Sequence, residues 1–178
     1  MWYGCGNTSM SNPSTMRVAL TGEGRLTLYS GAVDIGQGSN TIMLQICADA
    51  LGLPTTDFSL VLGDTDLTAD AGKTSASRQT FVSGKAAFLA GQNLRAEILR
   101  MANAGDAAVL RLEGATIAVS DDERITHIAL STLPIVDGEG TVLQGEGTFD
   151  PPTTPLDADG QGNPYATYGF AAQIADLE

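Results

Sequence analysis

Twice along this chain, period-two alternation runs into a short loop of glycine or hydroxyl residues, and helical periodicity begins just beyond it. The first loop is Asp34-Ile35-Gly36-Gln37-Gly38-Ser39 and the second is Lys73-Thr74-Ser75-Ala76-Ser77-Arg78-Gln79-Thr80. A hairpin, helix, strand and long helix, followed by a smaller irregular lobe, are read as an α+β fold. The loops also carry a chemical expectation. A helix start leaves its first N–H groups without internal partners and gathers partial positive charge, so small residues in front let an anion reach bare backbone. Two such loops suggest one large, phosphate-bearing ligand held from two sides.

The periodicities place the elements. Residues 16–21 and 25–31 alternate, with Met16, Val18 and Leu20 on one face and Leu26 and Leu28 on the next strand, joined by Gly22-Glu23-Gly24 as a hairpin. Ile42, Met43, Ile46, Cys47, Ala50 and Leu51 recur at helical spacing, and Gly52 then Pro54 supply a stop, which predicts a helix from Ser39 to Leu51. Residues 57–62 alternate again. Gly84, Ala87, Phe88, Gly91, Leu94, Ile98 and Met101 mark one face of a long helix ending near Ala102, with small residues where another backbone can come close. From Gly105 onward the pattern weakens. Apolar runs at 109–112, 116–119 and 126–130, interrupted by Asp121-Asp122-Glu123-Arg124, read as a turn of helix, short strands and a tight turn. A strand over 141–145 leads into a Pro- and Asp-rich loop at 150–164, and order is expected again over 166–177. Residues 1–15 read as loop. The expected organisation is an α+β lobe over 1–104 carrying both loops, followed by a smaller irregular lobe over 105–178, incomplete at its C-terminus.

Composition narrows the partners. With 178 residues, 43% of them hydrophobic and 17% charged, the chain can bury a core of its own. Its formal charge is −12 and its nine Lys and Arg are scattered, which opposes binding to nucleic acid or to an anionic membrane. A phosphate must then be held by local N–H groups and a few placed side chains, which favours a buried cofactor over a rapidly exchanging substrate. Cys5, Cys47 and His127 are too few and too far apart for a disulfide framework, a thiolate metal site or a zinc site. Cys47 is expected as a buried thiol and His127 as a semi-buried structural residue. No apolar run approaches a membrane span and the N-terminus lacks a signal-peptide pattern, so a cytoplasmic location is the expectation.

Neither loop matches a common phosphate motif. The first lacks the Gly-Lys-Ser/Thr of a Walker loop, and Thr41 stands where a dinucleotide fingerprint needs its third glycine. Gln37 can donate and accept at once, which suits an oxo group or a heterocycle edge. In the second loop Thr74, Ser75, Ser77 and Thr80 supply more hydroxyls than a helix cap requires. Ser75-x-x-Arg78 is not a serine-hydrolase dyad, because Arg stays protonated and cannot act as base. Asp64, Asp66 and Asp70 read as solvated loop carboxylates. So do Asp157 and Asp159 with Gly160, since Tyr168 occupies the position of a calcium loop's bidentate Glu. No catalytic base can be named.

In order and spacing, Gly31-Ala32-Val33-Asp34-Ile35-Gly36-Gln37-Gly38-Ser39-Asn40-Thr41, Leu51-Gly52-Leu53-Pro54, Gly63-Asp64-Thr65-Asp66, Thr74-Ser75-Ala76-Ser77-Arg78-Gln79-Thr80 and Asn163-Pro164-Tyr165-Ala166-Thr167-Tyr168-Gly169-Phe170-Ala171-Ala172-Gln173 resemble a known family. It is the molybdenum-cofactor-binding large subunit of the xanthine dehydrogenase and aldehyde oxidase family, the molybdenum hydroxylases. The resemblance implies a molybdenum cofactor-binding domain-like fold, with mixed sheets and helices packed on one face. It implies a molybdopterin whose phosphate-bearing tail is commonly extended as a cytosine dinucleotide in bacteria, and whose dithiolene holds the metal without protein thiolates. Gly36, Gln37 and Gly38 would meet this cofactor from one side, and Ser75, Ala76, Ser77, Arg78 and Gln79 from the other. The implied chemistry is hydroxylation of an aldehyde or N-heterocycle with water as oxygen source, electrons leaving through 2Fe-2S clusters and FAD on partner subunits or domains. The resemblance also implies a fragment of the large subunit, inactive alone, whose glutamate base lies beyond Glu178. Competing readings are a non-catalytic module that keeps the fold to hold partner subunits, and a generic nucleotide-binding protein.

Overall fold

The alternating segments become strands. In chain order the elements are β1 (Ser14–Thr21), β2 (Leu26–Ser30), α1 (Ser39–Leu51), β3 (Phe58–Leu62), α2 (Gly84–Ala102), β4 (Val109–Glu113), β5 (Thr116–Asp121), β6 (Arg124–Ala129) and β7 (Thr141–Phe149). They come from a computed structural model that describes residues 11–168 and 174–176. Cys5, the first ten residues of the expected N-terminal loop, Leu177, Glu178 and the Gly169–Gln173 part of the tail motif lie outside the described residues.

The hairpin pairs Val18 with Leu28 and Leu20 with Leu26, so Met16, Val18, Leu20, Leu26 and Leu28 enter the core together. The chain then runs β2–α1–β3, and β3 returns parallel to β2 with Leu28 opposite Leu60. Helix α1 has the predicted limits because Gly38 and Gly52 both adopt left-handed backbone at its ends, φ 81° and 82°, which glycine accepts without strain. Ser14 and Thr15, expected in a loop, belong to β1. They pair with Phe149 and Thr148 of β7, a partner that no local pattern in the sequence could announce.

Strand β7 continues beyond Gly145, where the sequence pattern stopped, to Phe149, and closes a four-stranded sheet of order β3-β2-β1-β7. The expected boundary at 104/105 therefore has strands of one sheet on both sides of it, and residues from both sides share one apolar core. Between them, β4, β5 and β6 form a three-stranded antiparallel sheet, and the charged segment 121–124 is its β5–β6 turn, with Asp122 left-handed at φ 52°. The two sheets meet at their turns: a Cβ on Gly24 would lie 1.8 Å from the Gly114 carbonyl oxygen.

Both helices cover one face of the larger sheet. The small residues of α2 are used as contact surface: a Cβ on Gly91 would lie 2.6 Å from the Cys47 carbonyl of α1. On the other side, Gly145 and Gly147 of β7 let the α2 backbone approach at Ala86, Ala90 and Leu94. A π-helical turn, Gln79–Ser83, precedes α2 and joins it to the second loop. Among the described residues, no helix is long and apolar enough to cross a membrane.

Candidate functional site

The second loop carries unusual backbone. Ala76 and Ser77 are both left-handed, φ 57° and 56°, although neither is glycine. Each such residue costs on the order of 1–2 kcal/mol, which the surroundings must offset. Arg78 supplies much of that support from below. Its guanidinium is 0% exposed and donates to the carbonyls of Asn12 (3.0 Å), Pro13 (2.7 Å), Lys73 (3.3 Å) and Ala71. Gly72 makes room for it, since a Cβ there would sit 2.6 Å from Nη1. Burial pulls the Arg78 pKa below its ordinary value, against the opposing charges of Asp70 and Asp150. Thr167 Oγ1 donates to the Ala76 carbonyl at 2.9 Å and ties the strained peptide to the tail.

The Arg78 side chain is thus turned into the protein, which leaves only its backbone N–H for the ligand that the loop was expected to meet through N–H groups and hydroxyls. Its charge stays behind the loop, where it still favours an anion in front. Gln79 is also buried. Its Nε2 donates to Thr74 Oγ1 at 3.0 Å and to the Lys73 carbonyl at 3.4 Å, and its Oε1 accepts from Ser83 Oγ at 2.5 Å.

The first loop also departs from the simple cradle. The Asp34 carboxylate folds over the start of α1: Oδ1 accepts from the N–H groups of Gly36 at 2.7 Å and Gly38 at 3.4 Å, and Oδ2 from Asn40 at 3.3 Å. These bonds, that from Gly36 foremost, hold the carboxyl below its ordinary pKa. The helix terminus expected to receive a phosphate already holds an internal anion, which takes up N–H groups of its cap Gly38 and of Asn40 in its first turn. Gln37 folds onto its own loop, Oε1 accepting from the Ile35 N–H at 2.7 Å and Nε2 donating to the Val33 carbonyl at 3.3 Å.

The two loops nevertheless meet. Gln37 and residues 74–80 line one cavity of about 430 Å³, with Ile35 and Tyr168 as its apolar margins. Ser75, Ala76, Ser77, Arg78 and Gln79 are brought together there, while Gly36 and Gly38 lie outside its lining. Ile35 and Tyr168 were not anticipated as site residues; for Ile35 the signal was a bulky apolar residue inside a glycine loop, which the fold leaves 72% exposed. At the cavity wall, the first N–H groups of the π-helical turn, from Gln79 onward, have no carbonyl within their own helix to bond.

Metal-binding side chains do not gather here. Among the described residues no group of three or more His, Cys, Asp or Glu is placed to hold an ion. Cys47 is buried and its thiol is pushed up to about 12. Asp64 and Asp157 spend their carboxylates on N–H groups of their own turns. His127, expected to be semi-buried, is exposed on β6, because its neighbour Ile128 takes the inward position of the strand. The cavity offers peptide N–H groups, hydroxyls and an amide, a donor set for a polar, anionic organic ligand.

Known proteins resemble this chain in sequence and fold. The profile of the molybdopterin cofactor-binding domain family matches residues 1–178. Probable hypoxanthine oxidase XdhD of Escherichia coli strain K12 is 38% identical over 82 residues, 46% of this chain and 9% of that protein. A probable xanthine dehydrogenase subunit of Bacillus subtilis strain 168 is 28% identical over 164 residues, 91% of this chain and 21% of that protein. The chain therefore spans less than a quarter of the length of either relative. The fold is shared with the aldehyde oxidoreductase from Desulfovibrio desulfuricans ATCC 27774, at TM-score 0.62 and 24% identity over 93% of this chain and 16% of that one.

Proposed function

The chain belongs to the molybdopterin cofactor-binding domain family, and on that premise we propose that the cavity between its two loops seats a molybdopterin in a hydroxylase of xanthine dehydrogenase or aldehyde oxidase type. The observation that carries the reading is the meeting of Gln37 and the strained 74–80 loop in one cavity. A volume of about 430 Å³ lies within the range of small-molecule and cofactor sites. Backbone held in sparsely populated conformations is found where surrounding structure maintains it for a ligand.

The residues present fit such a group. Ser75, Ser77 and Thr80, with the N–H groups that open the π-helical turn, would hold its phosphate-bearing tail. The buried Arg78 charge behind them lowers the cost of that anion in a protein of net charge −12. Gln37 would exchange its two loop bonds for the edge of the pterin, and Ile35 and Tyr168 would shield the flat rings from water. When bound, the molybdenum group supplies two-electron redox and oxygen-transfer chemistry, and the protein's part is to bind and orient it. The substrate is read as an aldehyde or N-heterocycle, with 2Fe-2S clusters and FAD on partner subunits or domains carrying the electrons. The catalytic base then belongs to a part of the enzyme other than these residues.

Metal analysis together with pterin fluorescence after oxidation of the purified protein tests the reading. Ser75→Trp, which fills the cavity from an exposed loop position, should lower molybdenum and pterin in parallel without lowering thermal stability. Parental content of both in this variant would overturn it, and their absence from the parent would favour a non-catalytic module that holds partner subunits.

A further inference from the structure

The two walls of the cavity are 41 residues apart at the point where a single acceptor fastens them. The Val33 carbonyl receives Thr74 Oγ1 from the second loop at 2.7 Å and Gln37 Nε2 from the first at 3.3 Å. The Thr74 hydroxyl is itself aimed from behind, because its oxygen accepts from Gln79 Nε2 at 3.0 Å. Gln79, 5% exposed, is in turn held by Ser83 Oγ at 2.5 Å, and Ser83 accepts from Ser14 Oγ of β1 at 2.9 Å. Ser14 and Ser83 are fully buried. The proton positions along the run are consistent: Ser83, through the shorter of its two donor contacts, and Thr74 each donate forward and accept from behind, and the amide orientation of Gln79 follows from its two ends.

We propose that Thr74 is a positioning residue: its hydroxyl, aimed by Gln79 from the buried Ser14–Ser83 pair, sets the gap between the cavity walls and the seat of Gln37. The proposal rests on that cavity being the cofactor site. Gln79 then acts through Thr74 rather than by touching the ligand, since, unlike the exposed Gln37, it is buried with both ends of its amide engaged. Thr74 is only partly buried and stands outside the apolar core. Replacing its hydroxyl by a methyl keeps its shape and removes the one side-chain bond that spans the loops among the described residues, so the loss is local to the site.

The test compares Thr74→Val with Thr74→Ser in the protein as purified. Hydrogen exchange of the peptide over residues 33–40, measured without cofactor, should quicken by about fivefold in Thr74→Val, the factor one ordinary hydrogen bond carries. Thr74→Ser should match the parent. Molybdenum and pterin content should fall in Thr74→Val and recover in Thr74→Ser. Parental exchange in Thr74→Val, or equal quickening in both variants, overturns the proposal, as does quickened exchange with parental cofactor content. A parent protein that carries no pterin would strike the cofactor reading instead, and the exchange comparison would still decide whether Thr74 fastens the loops.

Discussion

Replacing Gly147 by Ala should destabilise the protein more than an added methyl group ordinarily does. The buried side of β7 at Gly145 and Gly147 faces α2, and a Cβ on Gly147 would lie 2.2 Å from the Ala86 carbonyl oxygen, 2.5 Å from the Ala90 nitrogen and 2.7 Å from the Leu89 Cβ. Two of these are main-chain atoms of a helix, so no rotamer change relieves the contact. An ordinary van der Waals separation requires the helix and strand to part by roughly 1 Å, in an interior packed as densely as an organic crystal. Helix α2 cannot simply retreat, because Gly91 on its other side lets it abut the Cys47 carbonyl of α1, 2.6 Å from where a Cβ would stand. Overpacking of this kind costs about 1–3 kcal/mol, and rigid atoms on both sides place Gly147→Ala near about 3 kcal/mol. For a domain of this size that is a fall of roughly 6–12 °C in Tm. Urea denaturation followed by circular dichroism measures it, with Gly138→Ala as the comparison, since nothing lies within 4 Å of a Cβ at that position. Gly138→Ala should stay within about 0.5 kcal/mol of the parent. If Gly147→Ala does so too, the close approach of α2 to β7 is not what these glycines serve.

Arg78→Met should cost about 3 kcal/mol or more, because the carbonyls of Asn12, Pro13, Ala71 and Lys73 lose a common donor; an unchanged melting curve would contradict this. Asp34 has its folded pKa depressed by the loop N–H groups, Gly36 first. Its contribution is therefore fully present above the unfolded value of about 4 and is lost as pH falls through the lower folded value. Asp34→Asn should remove that part of the acid-side loss, read by comparing unfolding midpoints of parent and variant across the acid range; superimposable pH profiles would refute it. Cys47, buried and with its thiol pushed up to about 12, should resist alkylation near neutral pH in the folded protein and react once urea unfolds it. Mass analysis of the Cys47 peptide reads the difference, and equal labelling in both states would count against the packing of α1.

What the residues determined by themselves was local. Helical spacing from Ile42 to Leu51, ended by Gly52 and Pro54, is enough to delimit α1, and alternation around Gly22-Glu23-Gly24 is enough for the hairpin, because each reports which side of a short segment is apolar. The small residues of α2 likewise announced a close approach, though not its partner. Tertiary structure decided what pairs across distance and where loop side chains turn. Ser14 and Thr15 became strand only because β7 returns beside them. The site shows the same division. Its two loops were legible as glycine and hydroxyl clusters, yet the Asp34 carboxylate folds onto N–H groups at the start of α1, and Arg78 points inward to carbonyls as far as 66 residues away. A loop carries no periodicity to reveal its inner side. The direction of such side chains is set by which buried donors and acceptors the folded chain leaves unpaired, and that is known only once distant segments have been brought together.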